Sequence, residues 1–305
     1  MSLISTDLSW GRKDEYEDDD LLRFFLVGAD RKTRWWFGGP GSPVRLNVPP
    51  TGLQGAPFTH DWQKITGMDG AVHKGTTDEQ ANITLQVWVS DPRSSTWARR
   101  QHSLWRESLG RGRETCRLFA ISKESGYWWI DVRVESISEV NYFEQMPGRV
   151  GEIGELVTFV SDRSFWQKFD EVKLFTRETA PKAHMLNMGD QPAWLKWAVT
   201  GEHSGCYIGV GDERLLLPDP RSVKARYLNY KVEGFWVDTD ELWPSFLSSA
   251  GEDLQPLYPD HYWKTPLPPR GVNRDAVTPL VIRPINAGPS FRCQVSYTPR
   301  SEQAW

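Results

Sequence analysis

Apolar and polar residues alternate every second position through several stretches, the pattern of a strand with one face in a core and one in water. In Asn82–Val89 (NITLQVWV) the alternation sets Ile83, Leu85, Val87 and Val89 on one face and Asn82, Thr84, Gln86 and Trp88 on the other. Tyr127–Val134 (YWWIDVRV) repeats it, with Trp128, Ile130, Val132 and Val134 opposite Tyr127, Trp129, Asp131 and Arg133. ELVTFV from Glu155 predicts a further strand. Near the C-terminus Phe291, Cys293, Val295 and Tyr297 alternate with Arg292, Gln294 and Ser296. The chain is expected to be mainly β, most of it antiparallel sheet.

One segment changes period. After Asp91-Pro92, the run SSTWARRQHSLWRESLG places Trp97, Leu104, Trp105 and Leu109 at helical spacing, with Ser94 or Ser95 able to cap and Gly110 able to terminate. This predicts one amphipathic helix of about four turns, from about Ser95 to Leu109. Arg99, Arg100 and Arg106 fall on its other face, a solvated face or a contact for an acidic neighbour or nucleic acid. Strands, one helix and strands again describe an α+β first domain.

Between Phe169 and Leu186 the alternation fades and charges gather around Pro181, so the boundary is set there: 1–176 and 177–305. The second half reads as short strands, CYIGV, VKARYLNY, GFWVD, PLVIRP and FRCQVSY, separated by Gly and Pro turns, which is the punctuation of a sandwich or jelly roll. Trp243–Asn273, rich in Pro and Ser, reads as a surface excursion.

With 305 residues, 39% of them hydrophobic, the chain can bury a sizeable core and divides most naturally into two domains. No apolar run approaches the roughly 20 residues of a membrane helix, and the polar, acidic N-terminus lacks the pattern of a secretory signal, so no membrane insertion is expected. A net charge of −4 supplies no global attraction to nucleic acid, and no nucleic-acid sequence recognition is expected. Cys116, Cys206 and Cys293 are odd in number and far apart, which suits small core residues better than a disulfide framework or zinc site. Sixteen tryptophans remain to be explained: such rings pack sheets or anchor interfaces, and composition does not divide the two uses.

Candidates for chemistry are few. His60, His73, His102, His184, His203 and His261 show neither HExxH nor HxH spacing, and no GxSxG elbow occurs. Gly38-Gly39-Pro40-Gly41 lacks the lysine and the strand-to-helix setting of a phosphate loop and reads as a turn. Asp238 and Asp240 are a possible glycosidase pair by type, but aspartates at a strand end commonly open turns by accepting backbone N–H bonds. The acidic run Asp14–Asp20 reads as solvated. No catalytic residue, metal ligand or cofactor site is assigned.

The order NMGDQPAWLKWAVTG, CYIGVGDERLLL, KVEGFWVDTDE resembles the C-terminal galectin-like domain of siphophage distal tail proteins. In that family a Gly-Asp turn and a proline begin a strand that ends in a Thr-Gly pair, and an apolar-Asp-Thr element closes the pattern. Here these are Gly189, Asp190, Pro192, Thr200 and Gly201, then Val237, Asp238 and Thr239. The Trp- and Arg-rich chain looks most like minor tail proteins of phages infecting actinobacteria. The resemblance implies an N-terminal ring-forming, tube-docking domain (1–176) and a galectin-like β-sandwich (177–305). It further implies a non-enzymatic virion protein at the distal end of the tail, assembled in the host cytoplasm. Six copies would form a ring joining the tail tube protein to tip, hub or fibre proteins. On this reading Asp190 fixes a turn, and Trp194 and Trp197 lie on opposite faces of one strand. Candidate interface residues are Trp88, Trp97, Arg99, Arg106, Trp194, Trp197, Trp243, Tyr262 and Trp263. The competing expectation is a carbohydrate-binding or glycan-hydrolysing tail-tip protein, against which stands the absence of the galectin HxNxR element.

Overall fold

The computed structural model describes residues 21–39, 41–67, 69–140, 151–223, 232–270 and 277–305. The acidic run Asp14–Asp20, Pro40 of the glycine-rich turn, most of VKARYLNY and the end of the excursion lie outside the described residues. The fold is mainly β with one α-helix among the described residues. It divides into two compact units, one of residues up to Gln167 with Ser301–Trp305, the other of Lys168–Arg300. The expected boundary at 176/177 is therefore too late. Glu171–Thr176 forms a strand at the edge of a sheet of the second unit, exposed at its first four positions. An edge strand wetted on both sides loses the alternation that marks a buried one, which made it read as a linker.

The first unit contains β1 (Arg23–Val27), β2 (Arg34–Trp36), β3 (Val44–Leu46), β4 (Phe58–Gln63), β5 (Val72–Asp78), β6 (Asn82–Ser90), α1 (Ser95–Ser108), β7 (Cys116–Ser122), β8 (Gly126–Ile137), β9 (Glu152–Val160) and β10 (Trp166–Gln167). Its sheet runs β2-β1-β7-β8-β9-β6-β3. The long strand β8 pairs with β7 through Gly126–Val132 and with β9 through Arg133–Ile137, and the β8–β9 register slips between Val134 and Ser136. A bulge of this kind bends a strand, and one core gathers Leu26, Leu118, Trp128, Ile130 and Val132 with Ile83, Leu85, Val87, Val157 and Phe159. The alternation in β6 accounts for its part: Ile83, Leu85, Val87 and Val89 are all buried.

Helix α1 starts at its N-cap Ser94, whose side chain accepts from Trp97 N at 3.4 Å, and gives way at Gly110, which adopts φ 63°. Its buried face differs from the expected stripe. Ala98, His102, Trp105 and Ser108 turn inward, whereas Trp97 and Leu104 are exposed. The sequence hides this because the inward face carries polar residues whose partners lie elsewhere in the chain. Trp35 Nε1 donates to Ser108 Oγ at 2.8 Å, and His102 meets a buried carboxylate on β9.

The second unit contains β11 (Glu171–Thr176), β12 (His184–Met185), β13 (Leu195–Thr200), β14 (Cys206–Val210), β15 (Leu215–Leu217), β16 (Gly234–Asp238), β17 (Ser245–Ser248), β18 (Thr278–Pro284) and β19 (Arg292–Tyr297). One sheet runs β11-β19-β13-β16-β17 and the other β12-β18-β14-β15. Their inward residues share a single core, including Trp197, Val199, Phe235, Val237, Cys293 and Val295 from the first and Ile208, Leu217 and Ile282 from the second. Two sheets closed over one core make a β-sandwich. All three cysteines are free and buried, and burial pushes the Cys116 thiol up to about 11 and Cys206 to about 12.

The Trp243–Asn273 stretch is no surface excursion where it is described. Ser245–Ser248 is a strand of the first sheet, and Leu254 and Leu267 reach the core. Leu267 and Ala193 exchange backbone hydrogen bonds at 2.8 and 3.0 Å. His261 Nε2 meets the Leu216 carbonyl at 2.7 Å.

Candidate assembly surfaces

A feature that strand-pattern reading did not single out is the ribbon β4–β5. Among the described residues the two strands pair only with each other, and every residue in them except Gly75 is exposed. One face carries a row of rings: Phe58 on His60 at 5.2 Å between centroids, His60 on Trp62 at 5.8 Å and on His73 at 5.3 Å, and Trp62 on His73 at 5.1 Å. Thr76 Oγ1 lies 2.9 Å from His60 Nδ1 and 3.1 Å from His73 Nε2. A two-stranded ribbon is marginally stable by itself and leaves both edges without strand partners. The signal was present in the spacing of Phe58, His60 and Trp62, but histidine at the middle position masks an apolar alternation.

A second aromatic row crosses the outside of the first unit's sheet. Phe25 stacks on Trp36 at 4.7 Å and on Phe119 at 4.4 Å, and Phe119 pairs across strands with Trp129. Arg117 lies over the Trp129 ring at 3.7 Å while its guanidinium grips Asp131 at 2.8 and 2.9 Å.

The arginines of α1 divide in role. Arg99 is exposed, but Arg106, expected to face outward as a contact, is tied inward: its Nε donates to Glu155 at 2.7 Å and its Nη2 to the Ser138 carbonyl at 3.3 Å. Glu155 occupies an inward position of β9 and also receives Trp105 Nε1 at 2.6 Å and His102 Nε2 at 2.9 Å. Burial alone would push this carboxyl up, yet the hydrogen bonds and charges of His102 and Arg106, with Trp105, hold it below the ordinary value. Beside this knot a cleft of about 510 Å³ is lined by His102, Arg106, Leu109, Arg111, Ile137, Glu139 and Val140. Trp97, also a candidate contact, is 36% exposed and lies between Arg93 at 3.8 Å and Arg100 at 5.1 Å. Trp88 is half-buried, and its indole covers Gly154 on the neighbouring strand.

In the second unit the family-pattern residues gather around β13. A Cβ on Gly189 would stand 2.0 Å from the Arg300 carbonyl oxygen, so no larger residue fits there. The turn is closed by Asn187, whose Oδ1 accepts from Gly189 N at 2.9 Å and whose Nδ2 donates to the Gln191 carbonyl at 2.8 Å. Asp190 is exposed. The Pro192 carbonyl accepts from Arg300 Nε at 3.0 Å. Thr200 ends the strand, and Gly201, at φ 87°, passes so close to Ser290 that a Cβ would lie 2.2 Å from its carbonyl oxygen. Val237 faces inward beside Trp197, and Thr239 Oγ1 donates to the Leu195 carbonyl at 2.8 Å. Asp238 Oδ1 accepts from Asp240 N at 3.0 Å, and Asp240 Oδ1 from Leu242 N at 3.0 Å and Trp243 N at 3.3 Å. Both carboxylates bind turn backbone.

Among the other aromatic candidates, Trp197 is 2% exposed and belongs to the core, and Trp263 packs against that core, so neither is a free contact. Trp194 is half-buried, whereas Trp243 is 80% and Tyr262 62% exposed. Among the described residues no three His, Cys, Asp or Glu side chains are grouped to hold a metal ion, and no helix is long and apolar enough to cross a membrane.

Neither a protein-family model nor a curated protein matches the sequence. Solved structures do match. The Dit (gp 19.1) protein of SPP1, described as a paradigm of hub adsorption apparatus in phages infecting Gram-positive bacteria, aligns with TM-score 0.61 and 13% identity, over 91% of this chain and 98% of its own. The chain has the distal-tail-protein (Dit) fold. A chain of the phage p2 baseplate in its activated conformation with Sr aligns with TM-score 0.52 and 9% identity, over 92% of this chain and 99% of its own. In both cases the likeness takes in almost the whole length, so the Dit fold includes the helix-bearing unit as well as the sandwich. At these identities the likeness is one of backbone arrangement, which in this chain is held by the alternation of buried positions and by close approaches such as those at Gly189 and Gly201.

Proposed function

We propose that the protein is a structural component of a phage tail, placed at the distal end, where copies of it form a ring that joins the tail tube to tip or baseplate proteins. The observation that carries this is the match along nearly the full length of both this chain and the SPP1 Dit protein, both units included. A ring needs a heterologous contact, one patch on each copy meeting a different patch on the next. The exposed ribbon β4–β5, with its row of rings and open edges, is the natural arm for that contact. Six copies, the number the family resemblance implies, is the expected closure. The tube protein and hub or fibre proteins are the expected partners, and the role is scaffolding with no chemical step. The turn-bound carboxylates of Asp238 and Asp240 favour this over the hydrolytic alternative.

Native mass spectrometry of the full chain, with electron microscopy of labelled particles, tests the proposal. The expected result is a closed oligomer and label at the tail end. A chain that stays monomeric at high concentration and is missing from purified particles would overturn it, as would release of reducing sugar from host envelope by the purified protein.

A further inference from the structure

His60 and His73 belong to no metal motif by their spacing, yet the ribbon β4–β5 brings their rings to 5.3 Å between centroids. The ribbon begins with Phe58 opposite Asp78, His60 opposite Thr76 and Asp61 opposite Gly75. Continued unbroken, that register would set Trp62 against Lys74 and turn His73 to the face away from His60. A bulge between Asp61 and Trp62 passes over Lys74 and sets Trp62 against His73, so both imidazoles come to one face. There His60 Nδ1 and His73 Nε2 converge on the Thr76 hydroxyl, at 2.9 and 3.1 Å. All six histidines are among the described residues, and there these two alone are in ring contact with each other. His184, His203 and His261 each meet a backbone carbonyl, and His102 meets Glu155.

We infer that His60 and His73 form a two-imidazole site for a divalent ion of the zinc, nickel or copper class, which clips β4 to β5. Neutral imidazole is a ligand these ions favour, whereas calcium and magnesium seek oxygen. The Thr76 hydroxyl carries one proton, so it donates to one ring and accepts from the other. The ion replaces it as the common partner, with each ring keeping its proton on the far nitrogen. A Zn–N bond of about 2.0–2.1 Å asks each ring to close by roughly 1 Å, a shift that exposed side chains make by rotation. Two protein ligands meet there, and water fills the remaining positions of a four-coordinate ion. Phe58 and Trp62 flank the pair, with Phe58 against His60 and Trp62 against both rings. The carboxylate on the same face is Asp78, opposite Phe58, while Asp61 faces the other way and Lys74 stands at the bulge. Such a clip has a structural use. A two-stranded ribbon is marginal by itself, and among the described residues β4 and β5 pair with no other strand, so a link at mid-length opposes their separation. The inference is independent of the ring proposal.

Calorimetric titration of the full chain, free of any affinity tag, with zinc and nickel chlorides tests it, with calcium chloride as the control. Zinc and nickel should saturate and calcium should not. His60→Ala and His73→Ala should each weaken binding at least about tenfold, a difference of about 1.4 kcal/mol, and the double variant should lose little more, since a chelate needs both rings. Thr76→Val should bind at least as tightly, because the hydroxyl competes for the same nitrogens, and His184→Ala should match the parent. Binding should fade between about pH 7.5 and about pH 5.5 as imidazole takes up protons, and amide exchange in Phe58–Gln63 and Val72–Asp78 should slow when zinc is added. Absence of saturable binding of both zinc and nickel would overturn the inference, as would binding that survives His60→Ala. Zinc uptake that leaves amide exchange in the ribbon unchanged would place the ion elsewhere and overturn it equally.

Discussion

Two segments invite comparison because their sequences suggest the reverse of what each does. Residues 243–270 are rich in Pro and Ser and look like a loop laid over the surface, yet Leu254 and Leu267 are buried in the second unit's core and the backbone at Leu267 is hydrogen-bonded to Ala193. Residues 58–78 contain regular paired strands with Phe58, Trp62 and Val72, yet all three side chains are exposed. Regular secondary structure is therefore no guide to which segment supports a fold. What decides is whether the apolar side chains end against other apolar side chains: Phe246 on β17 and then Leu254 and Leu267 in the irregular stretch after it all reach the core, and they make the segment structural.

The largest expected effect breaks this comparison if it fails. Replacing Leu254–Leu267 by a flexible linker of equal length removes two core side chains, each worth about 2–5 kcal/mol, and should unfold the Lys168–Arg300 unit. Replacing Phe58–Asp78 in the same way should leave both melting transitions in place and cost the protein its self-association. Calorimetry beside native mass spectrometry reads both. A folded second unit after the first replacement, or a collapsed first unit after the second, would reverse the assignment of the two segments.

The same contrast between inward and outward rings runs along α1. Trp105→Ala should cost about 3–5 kcal/mol, since the indole is fully buried among Trp35 and Phe37 and donates to Glu155. Trp97→Ala, which removes a ring lying between two arginines at the surface, should cost about 1 kcal/mol or less. Denaturant melts that found the two equal would mean the helix is rotated relative to the face described.

Much of the fold is legible in the sequence where one rule suffices. The alternations in β6, β8 and β19 name their buried residues directly, and the caps of α1 are readable to within a residue. Misreading begins wherever a polar residue is buried with a distant partner. His102 and Glu155 are 53 positions apart, and their pairing rotates the helix and turns Arg106 inward. The edge strand β11 and the ribbon β4–β5 escape for the opposite reason, being exposed on both faces. As for the candidate surfaces, aromatic type alone does not separate Trp197 in the core from Trp243 in solvent.

A smaller effect separates an inward acid from its wetter counterpart. Glu155 has a folded-state value below its unfolded one, so it contributes stability that is present above the unfolded value and is lost as pH falls through the folded one. Glu155→Gln should be less stable than the parent near neutrality, with the gap closing steadily below about pH 4.5. A gap that stayed constant to acid pH would show that the carboxylate charge plays no part in holding α1 to β9.

Asp238 should show the smallest effect and the opposite sign. Burial raises its carboxyl above the ordinary range, so folding disfavours the charged form, and removing the charge relieves a penalty. The penalty is absent below the unfolded value, where both states are protonated, and grows as pH rises toward the folded one. Against that relief stands the bond from Asp240 N to Asp238 Oδ1, which an amide oxygen can accept almost as well. Asp238→Asn should therefore stay within about 0.5 kcal/mol of the parent near neutrality, and Asp238→Ala, which leaves the Asp240 N–H without its acceptor, should lose about 1 kcal/mol. Neither should change assembly. A large loss of particle infectivity in Asp238→Asn with the melting curve unchanged would give the carboxylate a role in chemistry and undo its assignment to the turn.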